Sequence, residues 1–193
     1  MASPVSPPVL ERNGDDAEVI IIGGGLAGLS AAIYLARSLR STLVIDSGKS
    51  MAAWEPDVQN YLGFPAGISG EELIHRGRKQ AERYHVRFAE DEVIGAEKED
   101  GTFVVRAKNR SYHGRRLLIA TGIFHLPPDI EGVRECLGHS MYFCKDCDGY
   151  RNQGKALGIY GWNNLTVDYA LGMLVYSPVV AIVSNGHSPE WDD

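Results

Sequence analysis

Hydrophobic residues in this chain recur in short runs divided by glycine, proline and charge. Residues 18–22, Glu-Val-Ile-Ile-Ile, form a β-branched apolar run of the kind required by a strand buried on both faces. It leads through a Gly-rich stretch into 29–37, where small and apolar residues recur at helical spacing, and 42–46 is a second strand closed by an acid. Ser69 followed by Glu72 reads as a capping box opening a helix through about Tyr84, with the basic residues at 76, 78, 79 and 83 on a solvated face. Residues 92–97 and 102–107 predict a hairpin around Glu99-Asp100-Gly101. The run 117–122, closed by Gly122, predicts a central parallel strand whose carboxyl end faces a ligand. After a crossover through Leu126-Pro-Pro128 toward Gly138, a strand at 155–160, a helix at 164–176 and a strand at 179–183 begin another βαβ unit.

This order predicts an α/β fold of two Rossmann-like dinucleotide-binding domains with three-layer β/β/α organisation, the second incomplete. The expected division is a disordered tail at 1–17, a first domain at 18–126 and the start of a second at 127–193. The first βαβ unit carries Gly23-Gly24-Gly25-Leu26-Ala27-Gly28. Gly23 permits a tight turn, Gly25 lets a pyrophosphate approach the backbone, and Gly28 lets helix and strand pack closely. The helix N-terminus offers free N–H groups to phosphates. Asp46, 18 residues after Gly28, can accept hydrogen bonds from ribose hydroxyls.

Composition narrows the partners. The chain has 193 residues, is 44% apolar and carries a net charge of −6, with no basic stripe to suggest nucleic acid. No apolar run reaches transmembrane length, and the Pro-, Ser- and Asp-rich start lacks a signal-peptide centre, so a cytoplasmic protein without membrane partners is expected. There are three cysteines, Cys136, Cys144 and Cys147. The tight pair can close and open a small disulfide ring, with the Asp148 carboxyl beside it to move protons. Zinc needs four ligands, and the pair lacks a second Cys or His pair at ligand spacing. A zinc site drawing on Cys136 and His139 is the alternative, but no metal is expected. Cys136 reads as a small buried apolar residue.

Four motifs together resemble the low-molecular-weight thioredoxin reductases and the broader FAD-dependent pyridine nucleotide-disulfide oxidoreductases. They are Gly23-Gly-Gly-Leu-Ala-Gly28, Asn60-Tyr-Leu-Gly-Phe-Pro65 followed by Gly70, Ile119-Ala-Thr-Gly122, and Cys144-Lys-Asp-Cys147-Asp-Gly149. The resemblance implies that 18–126 binds FAD, with Gly23, Gly25, Leu26, Ala27, Gly28 and Asp46 on the ADP half. It places Asn60 by the isoalloxazine ring and Ala120, Thr121 and Gly122 along the cofactor. It makes Cys147 the thiol facing the flavin, Cys144 the interchange thiol and Asp148 the acid–base group, with Lys145 nearby to favour a thiolate. The implied partner is a thioredoxin-like or small-molecule disulfide, and the implied assembly is a homodimer.

The departures from that pattern concern the second domain. Its loop, Tyr160-Gly161-Trp162-Asn163-Asn164, keeps one glycine, and the Asn163 side chain stands where the backbone should meet a pyrophosphate. Ser184-Asn185-Gly186-His187 supplies neither an arginine pair for an NADP 2′-phosphate nor an acid for an NAD ribose. Electrons are therefore expected from a donor other than NADPH: ferredoxin, or a second flavin held by Gly161, Trp162 and Asn163. The family's C-terminal Gly-Asp segment is not among these residues, so a longer native protein is expected. The competing reading is a non-catalytic or truncated nucleotide-binding or assembly protein of the same fold.

Overall fold

The computed structural model describes residues 16–192, so the predicted tail lies outside it apart from Asp16 and Ala17. The chain divides into two compact units, one of residues up to 58 with 63–126, the other of 59–62 with 127 onward.

The first unit is built on strands β1 (Ala17–Ile22), β2 (Thr42–Asp46), β3 (Arg87–Glu90), β4 (Val93–Glu99), β5 (Thr102–Ala107) and β6 (Ser111–Ile119). They form one sheet in the order β3-β2-β1-β6-β5-β4. The pairs among β3, β2, β1 and β6 are parallel, whereas β6-β5-β4 is antiparallel. Helices α1 (Leu26–Arg37) and α2 (Gly70–Glu82) cover one face. Side-chain alternation decides what each face meets. Val19, Ile21 and Val44 pack with Ala32, Ala36 and Ala81 of the helices. Ile20, Ile22, Leu43 and Ile45 pack with Val105, Ala107 and Tyr112 of the antiparallel arm. Ile20, Ile21, Val44 and Ile45 are wholly buried, each contributing about 1.5–3 kcal/mol of transfer free energy.

Several elements differ from expectation in extent. The first helix begins at Leu26, inside the glycine loop, three residues before its apolar periodicity starts. The central strand begins at Ser111, well before the run at 117, because its first half pairs antiparallel with β5. The short β3 gave no sequence signal of its own and is fixed by parallel pairing to β2. In the β4–β5 hairpin, Asp100 and Gly101 both take positive φ, 45° and 87°, which suits the right-handed strand twist. Ser69 caps α2 by accepting from the Glu72 N–H. Glu72 does not complete the box; its carboxylate accepts from Arg76 at 2.7 Å, which pulls it below the usual carboxylate range. Arg76 and Arg78 are likewise more than solvated charges, since their guanidinium groups lie over Phe64 and Phe88.

The second unit contains α3 (Val133–Cys136), α4 (Lys145–Asp148), β7 (Leu157–Tyr160), α5 (Asn164–Met173) and β8 (Val180–Val183). The parallel pair β7–β8 with α5 between them is one βαβ unit. Cys136 is exposed, not buried, because the one-turn α3 offers it no packed face. Among the described residues no helix is long and apolar enough to cross a membrane.

Candidate functional site

The carboxyl ends of β1, β2 and β6 open into a cleft of about 370 Å³ in the first unit. Gly23, Gly25, Leu26 and Ala27 line it from the loop, Asp46 from β2, and Ala120, Thr121 and Gly122 from beyond β6. Gly28 lies buried behind the loop, where a Cβ would collide with the Gly23 carbonyl oxygen. Gly23 itself has φ +106°, and a Cβ there would strike the carbonyl oxygen of Ala120. The loop is thus wedged between its own backbone and the end of β6. Only glycine permits this approach.

The N-terminus of α1 is left open. Its N-cap is Gly25, no side chain caps the first turn, and no acid lies in it. The first-turn N–H groups therefore face the cleft with their partial positive charge, a ready anion site. Asp46 is half committed: its Oδ1 accepts the Gly24 N–H at 3.0 Å. A Cβ on Gly24 would sit 2.8 Å from the Asp46 carboxyl carbon, so glycine is needed there too. An unobstructed helix N-terminus, bare loop backbone and an oriented carboxylate at the end of the next strand fit the ADP half of a dinucleotide.

Lys49, Ser50, Asp91 and Glu92 also line the cleft and were missed from the sequence. Asp91 is buried and accepts from the Glu92 N–H, from the Asn109 side chain and from the Tyr112 hydroxyl. Lys49 at 2.8 Å and Lys108 at 3.1 Å flank Glu92, and their hydrogen bonds hold its carboxyl below the usual range. The signal for this group was the end of β3, which a four-residue strand with two charged ends conceals.

In the second unit Cys144 and Cys147 are joined as a disulfide, with Cα atoms 5.2 Å apart. Cys144 is the N-cap of α4, and its sulfur accepts the Cys147 N–H at 3.1 Å. Cys147 is exposed, Cys144 half-buried. Asp148 is buried, its Oδ1 3.7 Å from the Arg151 guanidinium. On α5, burial and then the charges of Asp148 and Asp146 raise the Tyr169 phenol above its ordinary range. The disulfide is thus followed directly in sequence by a carboxylate held in the protein interior. Asn60 is exposed in the 59–62 segment that clusters with this unit.

Gly161, Trp162 and Asn163 follow β7 as read. Asn163 caps α5, its side chain accepting from the Thr166 N–H at 3.1 Å, and the Trp162 ring stacks on His187 at 3.8 Å.

The sequence profile of the family described as pyridine nucleotide-disulphide oxidoreductase matches residues 17–171. The thioredoxin reductase of Treponema pallidum is 34% identical over 158 residues, which span 81% of this chain and 52% of that protein. That of Bacillus subtilis is 34% identical over 169 residues, spanning 86% and 53%. The crystal structure of thioredoxin reductase from Streptococcus pyogenes superposes with a TM-score of 0.86 at 26% identity, covering 94% of this chain and 59% of that one. The chain spans about half the length of the relatives it matches.

Proposed function

The chain belongs to the pyridine nucleotide-disulphide oxidoreductase family, and from that membership we propose that it is the FAD- and disulfide-bearing part of a thioredoxin reductase-like flavoprotein. The observation that carries the reading is the pairing, in one chain, of an open α1 N-terminus beside Asp46 with a closed Cys144–Cys147 disulfide beside Asp148. Gly23, Gly25, Leu26, Ala27 and the first turn of α1 would hold the FAD pyrophosphate, with Asp46 on the ribose and 120–122 along the rest. When bound and reduced by its donor, the flavin would supply the two electrons that open the disulfide.

The reduced pair then does the exchange. The Cys144 thiolate attacks one sulfur of the partner disulfide, forming a mixed disulfide and releasing one partner thiolate, which takes a proton passed by Asp148. The Cys147 thiolate attacks Cys144 Sγ, restoring the Cys144–Cys147 bond and expelling the second partner sulfur as a thiolate, which takes its proton from solvent. Two electrons leave the protein with the dithiol product, one of whose protons is passed by Asp148 and the other taken from water. The chemistry suits a thioredoxin-like protein or a small disulfide.

Ferredoxin is the proposed electron donor, and a second flavin against Trp162 is the alternative. The protein is proposed to act in the cytoplasm as a homodimer. Purified protein should be yellow, and Cys144→Ser or Cys147→Ser should abolish dithiol–disulfide exchange while the flavin is retained. A colourless protein without exchange would favour the assembly reading. Counting FAD per chain separates one flavin from two.

A further inference from the structure

Two helices in this chain begin where a nucleotide loop ends, and their N-termini are treated in opposite ways. The first turn of α1 is uncapped. That of α5 carries a complete capping box: Thr166 N–H donates to Asn163 Oδ1 at 3.1 Å, and Asn163 N–H donates to Thr166 Oγ1 at 3.4 Å. Two of the N–H groups that could meet a phosphate, those of Asn163 and Thr166, are already used.

The surviving glycine has a different reason to be there. At Gly161, φ +149°, a Cβ would collide with the Thr166 hydroxyl, so the glycine makes room for the cap whether or not a nucleotide binds.

The chain then returns across the same loop. After β8, the Glu190 N–H donates to the Trp162 carbonyl at 2.6 Å, and Asn163 and Glu190 pair as a parallel bridge. Asp192 and Asn164 exchange two hydrogen bonds, Asn164 Nδ2 to Asp192 Oδ2 at 2.8 Å and Asp192 N–H to Asn164 Oδ1 at 3.0 Å. His187 covers one face of the Trp162 ring at an interplanar angle of 11°. The strap 187–192 therefore crosses the carboxyl end of β7 and the start of α5, where open α/β sheets bind ligands. It brings two carboxylates to a place that a pyrophosphate would need free of negative charge.

We infer that the second βαβ unit rejects dinucleotides, with Asn163 and Thr166 closing the loop from within and the strap 187–192 closing it from without. This deepens the donor reading above: a closed loop excludes NADPH, NADH and a second FAD alike, leaving an external donor such as ferredoxin.

The test combines equilibrium dialysis of NADPH and NADH with amide hydrogen exchange on the same protein. The wild type should bind neither nucleotide below about 1 mM, and its Glu190 and Thr166 amides should exchange slowly. Glu190→Pro with Asp192→Ala removes the strap's amide donor and both of its carboxylates. Added to Asn163→Gly, it should raise NADPH affinity at least about ten-fold over Asn163→Gly alone. The milder Asp192→Ala alone should speed exchange at Glu190. Micromolar NADPH binding by the wild type, an unprotected Glu190 amide, or no gain on opening the strap would overturn the inference. Failure of reduced ferredoxin to bleach the flavin would remove the donor reading and leave the closed loop standing.

Discussion

The Gly24 N–H donates to Asp46 Oδ1 at 3.0 Å, tying the nucleotide loop to the end of the neighbouring strand. This bond orients the carboxylate and leaves its second oxygen for a ligand. Asp46→Ala removes both contacts and should weaken FAD binding by about 10- to 100-fold, the range of a charge-assisted hydrogen bond. Fluorescence of flavin released on ultrafiltration reads the loss. Retention equal to wild type would mean that the carboxylate does not touch the cofactor.

Gly28→Ala drives a methyl into the Gly23 carbonyl oxygen, backbone that cannot rotate aside. The variant should be destabilised by about 1–3 kcal/mol, seen as a lower urea midpoint. Gly95→Ala is the control, since a Cβ there meets only the Arg106 guanidinium at 3.6 Å. It should move the midpoint far less.

Thiol counting tests the redox pair directly. Cys136 is free and exposed, and the other two cysteines are joined. A thiol reagent should label one cysteine in the oxidised native protein and, of the three in the sequence, all after reduction. Three labels without reductant would remove the disulfide.

Asp148→Asn keeps the side chain's shape and removes its ionisable proton. Exchange with a protein disulfide should slow by about 10²-fold, as loss of a general acid–base group does, while the pair still reoxidises. An unchanged rate would leave Asp148 with a structural role only.

The Tyr112 hydroxyl donates to Asp91 Oδ2 at 3.2 Å inside the core. Burial raises its phenol above the ordinary value, the hydrogen bond with Arg110 pulls it down, and the hydrogen bond and charge of Asp91 push it up again. A raised native pKa means that the unfolded chain loses its proton first. The stabilisation is complete below about pH 10 and declines as pH rises through the native value. Tyr112→Phe should cost about 0.5–1.5 kcal/mol at pH 8 through the lost hydrogen bond, yet flatten the alkaline decline. Urea unfolding at several pH values measures both.

Local patterns were legible where one segment carries its own instruction. The run 18–22, the glycine loop and the acid at 46 announce a βαβ unit because strand, turn and helix each have a composition, and their order leaves little choice of pairing. The Asp100-Gly101 turn was legible for the same reason. Arg87–Glu90 was not: four residues hold too little pattern, and only the edge of β2 makes them a strand. Lys49, Asp91 and Glu92 therefore went unseen, because β2 and β3 deliver them to the cleft from positions more than 40 residues apart. Cys136 was misjudged since its composition favours burial and only the shortness of α3 exposes it.

The sequence by itself determined the two chemistries, a bare helix N-terminus after a glycine loop and two thiols two residues apart, because each needs only neighbouring residues. It also showed that the second loop keeps a single glycine, Gly161, followed by Trp162 and Asn163. Tertiary structure alone decided what surrounds that loop. The glycine retained at 161 serves Thr166, and a segment more than 20 residues downstream returns to bond with Trp162 and Asn164. Such a closure depends on where β8 delivers the chain, which no local pattern encodes.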